Sequence, residues 1–263
     1  MRSITLDSVT MYRGDTNIID RISHIFRKGV VSIILGHSGS GKSSLLKLAA
    51  GLLFPTEGRV FLDDKDLASL SRNEEESFRK ESSFMFEDAA LWANRTVMQN
   101  VIFPLEIHYP KMKREEMEGM VKEMLIKVGY RDKLERRPSQ ISGGEEKMVG
   151  IARALIIEPQ LLFIDAPLLN LDSISENRII QLLREEKRKG KTIIMNTSSS
   201  RLTSLVADEL LVLHEGKLVE AGPFEEIRTS SKPITREIFN SVLEHASSYD
   251  DSILDLLDES GNS

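Results

Sequence analysis

The chain has 263 residues, 40% of them hydrophobic and 29% charged, with a formal net charge of −6. That suits one soluble α/β domain with an inserted subdomain and gives no global bias towards nucleic acid. The absence of cysteine excludes disulfides and thiolate metal sites and fits a reducing compartment, and the five histidines (24, 37, 108, 214 and 245) are too scattered to suggest a metal site.

Residues 1–6 lack a signal-peptide core, and no apolar run approaches the ~18 residues of a membrane span. The expected location is therefore the cytosol, or a membrane face reached only through a partner. Residues 4–35 read as strands and turns. Ile4-Thr5-Leu6-Asp7-Ser8-Val9 is apolar on one face, and Gly14-Asp15 turns the chain into Ile18-Ile19, Ile22 and Ile25-Phe26. The run Val30-Val31-Ser32-Ile33-Ile34-Leu35 then leads into Gly36-His37-Ser38-Gly39-Ser40-Gly41-Lys42-Ser43, which matches G-x-x-x-x-G-K-[ST]. Ser44 and the apolar-periodic Leu45-Leu46-Lys47-Leu48-Ala49-Ala50 follow it.

Strand, loop and helix form the context in which this motif cradles phosphate. Glycines let backbone N–H groups close on phosphate oxygens, and the helix offers its positive end. Lys42 can reach the β- and γ-phosphates, and the Ser43 hydroxyl can hold Mg²⁺. The expected nucleotide-binding set is Gly36, Ser38, Gly39, Ser40, Gly41, Lys42, Ser43 and Ser44. Gly51 and Pro55 stop the helix, and Gly58-Arg59-Val60-Phe61-Leu62-Asp63 returns as a strand of an antiparallel layer. Residues 69–82 are polar and read as a solvated surface helix or loop.

From residue 84 the pattern changes. Phe84-Met85-Phe86 reads as a short buried strand, Glu87 to Trp92 as a loop, and Val97-Met98-Gln99-Asn100-Val101 as the start of a helical region ending near Pro104 and Pro110. Met117, Met120, Val121, Met124, Leu125 and Val128 recur at helix spacing, a methionine stripe better suited to core filling than to a binding groove. Ile141-Ser142-Gly143-Gly144 opens a helix with Met148, Ile151, Ala152 and Leu155 on one face, and Pro159 closes it. Leu161-Leu162-Phe163-Ile164-Asp165 is a buried strand ending in a carboxylate. A helix over 174–189, a strand over 192–197, and a hairpin through Glu215-Gly216 complete an alternating α/β pattern. The basic run 187–191 reads as a helix C-terminus whose cations complement the dipole. Residues 245–263 carry Asp250, Asp251, Asp255, Asp258 and Glu259 with no lysine or arginine. They form an expected acidic tail, either solvated or folded as a short amphipathic helix on a partner.

Beyond the phosphate loop, several motifs in order make residues 4–228 resemble the ATP-binding cassette (ABC) ATPases. Ile141-Ser142-Gly143-Gly144-Glu145 is similar to the L-S-G-G-Q signature and is followed by Arg153-Ala154-Leu155. Leu161 to Asp165 is similar to Walker B, and Asn170-Leu171-Asp172 to the D-loop. The resemblance implies a P-loop NTPase fold: a RecA-like core with an antiparallel β subdomain and an inserted α-helical subdomain at about 86–158. Residues 1–228 are then the ATP-binding domain and 229–263 a C-terminal extension.

In that family two cassettes pair head to tail, each ATP lying between one phosphate loop and the other signature. The resemblance implies that Asp165 and Ser43 hold Mg²⁺, that Ser142, Gly143, Gly144 and Glu145 meet the partner's ATP, and that Asp172 touches the partner. Tyr12 is the candidate for stacking on adenine, one position earlier than usual, with Arg13 before Gly14. The implied partners are a second ATPase subunit, in a homo- or heterodimer, and a membrane permease that holds the chain at the cytoplasmic face of the inner membrane. Neither nucleic acid nor a membrane span of its own is expected.

Three positions depart from the family pattern. The glutamate that normally follows the Walker B aspartate, where it orients or deprotonates the attacking water, is Ala166. The glutamine that reads γ-phosphate is Glu87, and the switch histidine falls at Ser198. Losing a general base typically costs ~10²–10⁴ in rate, so binding is expected to outlast hydrolysis. Residues 85–92 and 96–105 resemble the corresponding stretch of the maintenance-of-lipid-asymmetry (Mla) ATPases, which implies phospholipid transport. Amino-acid importers and lipoprotein exporters share part of that wording, and a catalytically silent ATP-binding scaffold is the alternative from another class.

Overall fold

A computed structural model describes residues 2–247; the acidic stretch beyond them lies outside the described residues. The chain opens with a hairpin, β1 (Ile4–Arg13) and β2 (Thr16–Phe26), and then β3 (Val31–Leu35) and α1 (Lys42–Ala49). Next come β4 (Glu57–Leu62), β5 (Lys65–Asp66), α2 (Arg72–Glu81) and β6 (Ser82–Met85). Three helices follow in succession: α3 (Val97–His108), α4 (Arg114–Val128) and α5 (Gly143–Leu155). The order closes with β7 (Leu161–Asp165), α6 (Ser173–Arg188), β8 (Thr192–Asn196), α7 (Ser200–Val206), β9 (Glu209–His214), β10 (Lys217–Pro223), α8 (Phe224–Arg228) and α9 (Pro233–Ser247).

Two sheets result. One is antiparallel, in the order β2-β1-β4-β5; the other has the order β10-β9-β3-β8-β7-β6 and is parallel except for β10. Strands β3, β7 and β8 are buried along their whole length, as continuous apolar strands covered on both faces must be. Alternation divides their side chains between two cores. Ile33, Leu162, Met195 and Leu210 face the helices α5, α6 and α7, whereas Ile34, Phe163, Ile194 and Leu211 join α1 and the antiparallel sheet. Helix α1 is thus held between the sheets by Leu45, Leu46 and Leu48, which fixes the start of that helix where β3 ends.

The polar stretch 69–82 forms helix α2, begun by a capping box of Ser71 and Glu74. The methionines of α4 fill space as expected: Met117 is buried, and Met120 and Met124 pack on the core. Two expectations need adjustment. Of the two prolines expected near the end of the helical region, Pro104 lies inside α3, which ends at His108, just before Pro110. Pro104 forfeits one i→i−4 bond, while the Thr96–Gln99 capping box and the burial of Val101, Ile102 and Leu105 on either side of it hold the helix. Strand β6 is an edge strand, and of its four residues only Met85 is fully buried. Helices α7, α8 and α9 were not anticipated. The α9 helix is anchored by Ile238 and Phe239, and by Thr235, which donates to Glu220 at 2.7 Å.

Candidate functional site

The phosphate loop spans the gap between the C-terminal end of β3 and α1. Gly41 sits at φ +98°, and a Cβ there would lie 2.8 Å from the Ile18 carbonyl oxygen, so both conformation and space require glycine. His37, Ser38 and Gly39 are exposed, Ser43 and Ser44 half-buried. Lys42 Nζ donates to the carbonyls of Gly36 at 2.7 Å and His37 at 2.8 Å, folding the side chain back over its own loop. Burial lowers the Lys42 pKa, and the nearby charges of Asp165 and Glu87 oppose that shift. Ser40 Oγ is buried without a hydrogen-bond partner among the described residues, an orphan hydroxyl in the wall of the cradle.

Asp165 ends β7 and is 2% exposed. Ser43 Oγ donates to its Oδ1 at 3.0 Å, and Asn196 Nδ2 donates to the same oxygen at 2.7 Å. Asp165 and Asn196 are register partners at the ends of the parallel strands β7 and β8, which is why they meet. A hydroxyl and a carboxylate beside a phosphate loop fit Mg²⁺, a hard cation that is bound by one or two protein oxygens together with substrate phosphates. No cluster of three or more His, Cys, Asp or Glu side chains that could hold a metal ion occurs among the described residues. Asn196 was missed from the sequence. Its signal was there, a polar residue closing the apolar run Ile193-Ile194-Met195.

Ala166 follows Asp165 in the left-handed region, φ +47°, with its N–H shared between the Asn196 carbonyl and Oδ1 at 3.2 and 3.0 Å. Glu87 lies exposed in the loop after β6, and Ser198 exposed in the loop after β8. Ser142 is the N-cap of α5, and Glu145 completes a capping box by accepting from the Ser142 N–H at 2.7 Å and its hydroxyl at 2.8 Å. Gly143 and Gly144 form the first turn, and a Cβ on Gly144 would lie 3.6 Å from the Asn170 carbonyl oxygen, so signature and D-loop adjoin.

Asp172 caps α6 through the N–H groups of Ile174 and Ser175, both at 3.0 Å, and these bonds together with the Ser175 hydroxyl hold its carboxyl below the usual range. No hydrogen bond or ion pair among the described residues joins Ser142, Glu145 or Asp172 to the phosphate loop. Tyr12 is half-exposed at the hairpin end of β1, opposite Asn17, and the neighbouring Ile18 and Ile19 pack against Gly41.

A groove of about 440 Å³ lies between β6 and α3, lined by Phe84, Phe86, Trp92, Pro104, His108 and Arg153 among others. Trp92 packs edge-on to Phe103, with ring centres 4.3 Å apart, and Arg95 covers both rings. No helix among the described residues is long and apolar enough to cross a membrane.

A family model described as "ABC transporter" matches residues 19–169. The methionine import ATP-binding protein MetN of Carboxydothermus hydrogenoformans is 38% identical over 228 residues, covering 86% of this chain and 67% of that protein. The protein of the same description from Geobacillus kaustophilus is 35% identical over 247 residues, covering 92% and 72%. The chain thus spans roughly two thirds of the length of such relatives. Among solved structures, the dimeric ATP-binding cassette MJ0796 in a post-hydrolysis state with ADP and Pi superposes with a TM-score of 0.78 at 28% identity, covering 84% of this chain and 98% of that one.

Proposed function

The chain belongs to the ABC transporter family, and on that premise we propose that it is a Mg-ATP-binding subunit that holds ATP at a dimer interface and hydrolyses it weakly or not at all. The observation that carries this reading is the adjacency of an intact Ser43–Asp165 pair at 3.0 Å and Ala166. Lys42 and the loop amides would hold the phosphates, and Ser43 and Asp165 would hold Mg²⁺, which supplies charge neutralisation between phosphate oxygens. Hydrolysis further needs a group that orients or deprotonates water, and a methyl group can do neither. With no histidine at Ser198, nothing at that position compensates.

The second half of the site would come from a partner cassette. Ser142, Gly143 and Gly144 present a helix N-terminus of the kind that binds phosphate, and Asp172 lies on the adjoining loop. This chain would then complete a competent partner's site while its own acts as a clamp. A permease is the expected membrane partner, and the aromatic groove beside Trp92 is the surface offered for it. It would keep the chain peripheral on the cytoplasmic face.

For the cargo, the relatives named for methionine import support the amino-acid importer reading. The phospholipid expectation drawn from residues 85–105 has no support from those relatives.

The test is Mg-ATP binding by calorimetry together with phosphate release, for the chain alone and co-purified with its permease. Tight binding without release by the chain alone is expected. Robust release by the chain alone would defeat the proposal, and binding without release in every assembly would favour a silent scaffold.

A further inference from the structure

Lys147 lies on α5, five residues beyond the signature serine, and is 4% exposed. No carboxylate among the described residues forms an ion pair with it. Its ammonium donates instead to two backbone carbonyls, those of Glu87 and, at 3.2 Å, Ala166. These are two of the three positions that depart from the pattern of the resemblance. Burial lowers the Lys147 pKa, and the charges of Glu87, Asp165 and Asp88 act through space in the opposite direction.

The same face of α5 continues the contact. A Cβ on Gly150 would come within 2.8 Å of Ala89 Cβ, so α5 and the loop pack backbone against backbone. Arg153 then donates to the carbonyls of Ala89 and, at 2.9 Å, Ala90. Positions 147, 150 and 153 recur at i, i+3 and i+6, so one stripe of the helix holds loop 87–90. Ala89 and Ala90 both adopt the left-handed conformation, at φ +58° and +44°, which L-residues with a side chain keep only when their surroundings impose it.

The direct partners of the ammonium are neutral carbonyls, and the carboxylates of Glu87, Asp165 and Asp88 offset its charge only through space. Of the two residues it holds, Ala166 brings no negative charge of its own, and the field of a buried charge reaches further than it would in water.

We propose that Lys147 is a positioning residue that pins the backbones of Glu87 and Ala166 around the terminal-phosphate position, and whose charge makes this site prefer ATP over ADP. The inference rests on the Mg-ATP-binding reading above. ATP carries one more phosphate than ADP, and the added negative charge falls on the side of the site that Lys147 flanks. The site would then retain unhydrolysed nucleotide by electrostatics as well as by the loss of a base.

The experiment is competition of unlabelled ATP and ADP against a fluorescent nucleotide on the full chain with Mg²⁺, comparing the unmodified protein with Lys147→Gln, Lys147→Met and Lys147→Arg, with melting temperatures measured alongside. Lys147→Gln and Lys147→Met are expected to cut the ATP-over-ADP preference by about fivefold or more, and Lys147→Arg to restore it. A purely structural lysine would lower the melting temperature and leave the preference intact, and that result overturns the inference. Should the neutral variants fail to fold, the unmodified chain still decides: if it binds ADP as tightly as ATP, there is no preference for Lys147 to set and the inference is overturned. If the unmodified chain binds no ATP, the underlying reading fails first; if it binds ATP and the preference ignores Lys147, the inference alone falls.

Discussion

Asn196 Nδ2 and Ser43 Oγ converge on one oxygen of Asp165, at 2.7 and 3.0 Å, so three elements distant in sequence position a single carboxylate. Asn196 therefore orients the carboxylate proposed to hold Mg²⁺ without being a ligand in the expected set. Asn196→Ala should weaken the Mg²⁺ dependence of ATP binding by about 10–100-fold, the usual effect of removing such a support. It should also cost ~1–3 kcal/mol of stability for the partner bond lost at a buried carboxylate. Calorimetric Mg²⁺ titration at fixed ATP, with urea unfolding on the same variant, measures both.

On the proposed reading, supplying a general base and a histidine at positions 166 and 198 should raise turnover. Ala166→Glu combined with Ser198→His is expected to raise phosphate release by on the order of 10²-fold or more, since each returns a group that acts on the attacking water or the terminal phosphate. A double variant that folds, binds ATP and stays inert would show that the defect lies elsewhere.

Tyr12 lies beside the cradle with half its surface exposed. As an adenine platform it should matter for any adenine nucleotide, so Tyr12→Ala should weaken ATP and ADP together, by about five- to tenfold for a stacking contribution of ~1 kcal/mol or more. Unchanged affinity for both would remove Tyr12 from the site. A change in ATP alone would contradict a base-stacking role.

Gly58 at the start of β4 occupies φ +81°, and a Cβ there would lie 2.3 Å from the Ser8 carbonyl oxygen and 2.5 Å from that of Asp7. The contact falls where the β1–β4 register shifts between Asp7 and Thr10. Gly58→Ala should therefore destabilise the fold by ~2–4 kcal/mol through backbone strain and clash together. Chemical denaturation is the measurement, and a loss under ~1 kcal/mol would mean that the bulge relaxes.

Glu209 is 4% exposed at the start of β9. Burial opposes its ionisation, but His24 at 3.4 Å, the Ser32 hydroxyl at 2.9 Å and Arg27 at 3.3 Å prevail and hold its carboxyl below the usual range. A depressed carboxylate contributes stability that is fully present above the unfolded pKa, ~4.3, and is lost as pH falls through the folded one. The urea midpoint should decline below about pH 4, and Glu209→Gln should make that decline shallower. Equal acid slopes for the two proteins would assign the loss to other carboxylates.

The parts of the site that were legible are those whose chemistry is local. The cradle from Gly36 to Ser43 is a contiguous motif in which each residue type has its own geometric reason, and the run Val31 to Leu35 could only be a covered strand. Asp165 was readable because it ends such a run. Asn196 and Lys147 were not, because their roles come from register and from a loop folded against a helix face 60 residues away. Lys147 looks like a solvent-facing residue in sequence, between Glu146 and Met148, and only the return of the 87–90 loop buries it. Pro104 misled for the opposite reason: a strong local signal was overridden by apolar packing on both sides of it. Helices α7 and α8, at seven and five residues, are too short for periodicity to register.

Three donors of the candidate site each hold an oxygen of this protein. Lys42 holds the carbonyls of Gly36 and His37, Ser142 holds Glu145, and Lys147 holds Glu87 and Ala166. Nucleotide arrival and cassette pairing are thus exchange reactions rather than additions. Under the proposed binding, phosphate would compete with the carbonyls of Gly36 and His37 for Lys42, and a partner's phosphate would compete with the Glu145 carboxylate for the Ser142 hydroxyl. Apparent affinities then measure the difference between two sets of hydrogen bonds.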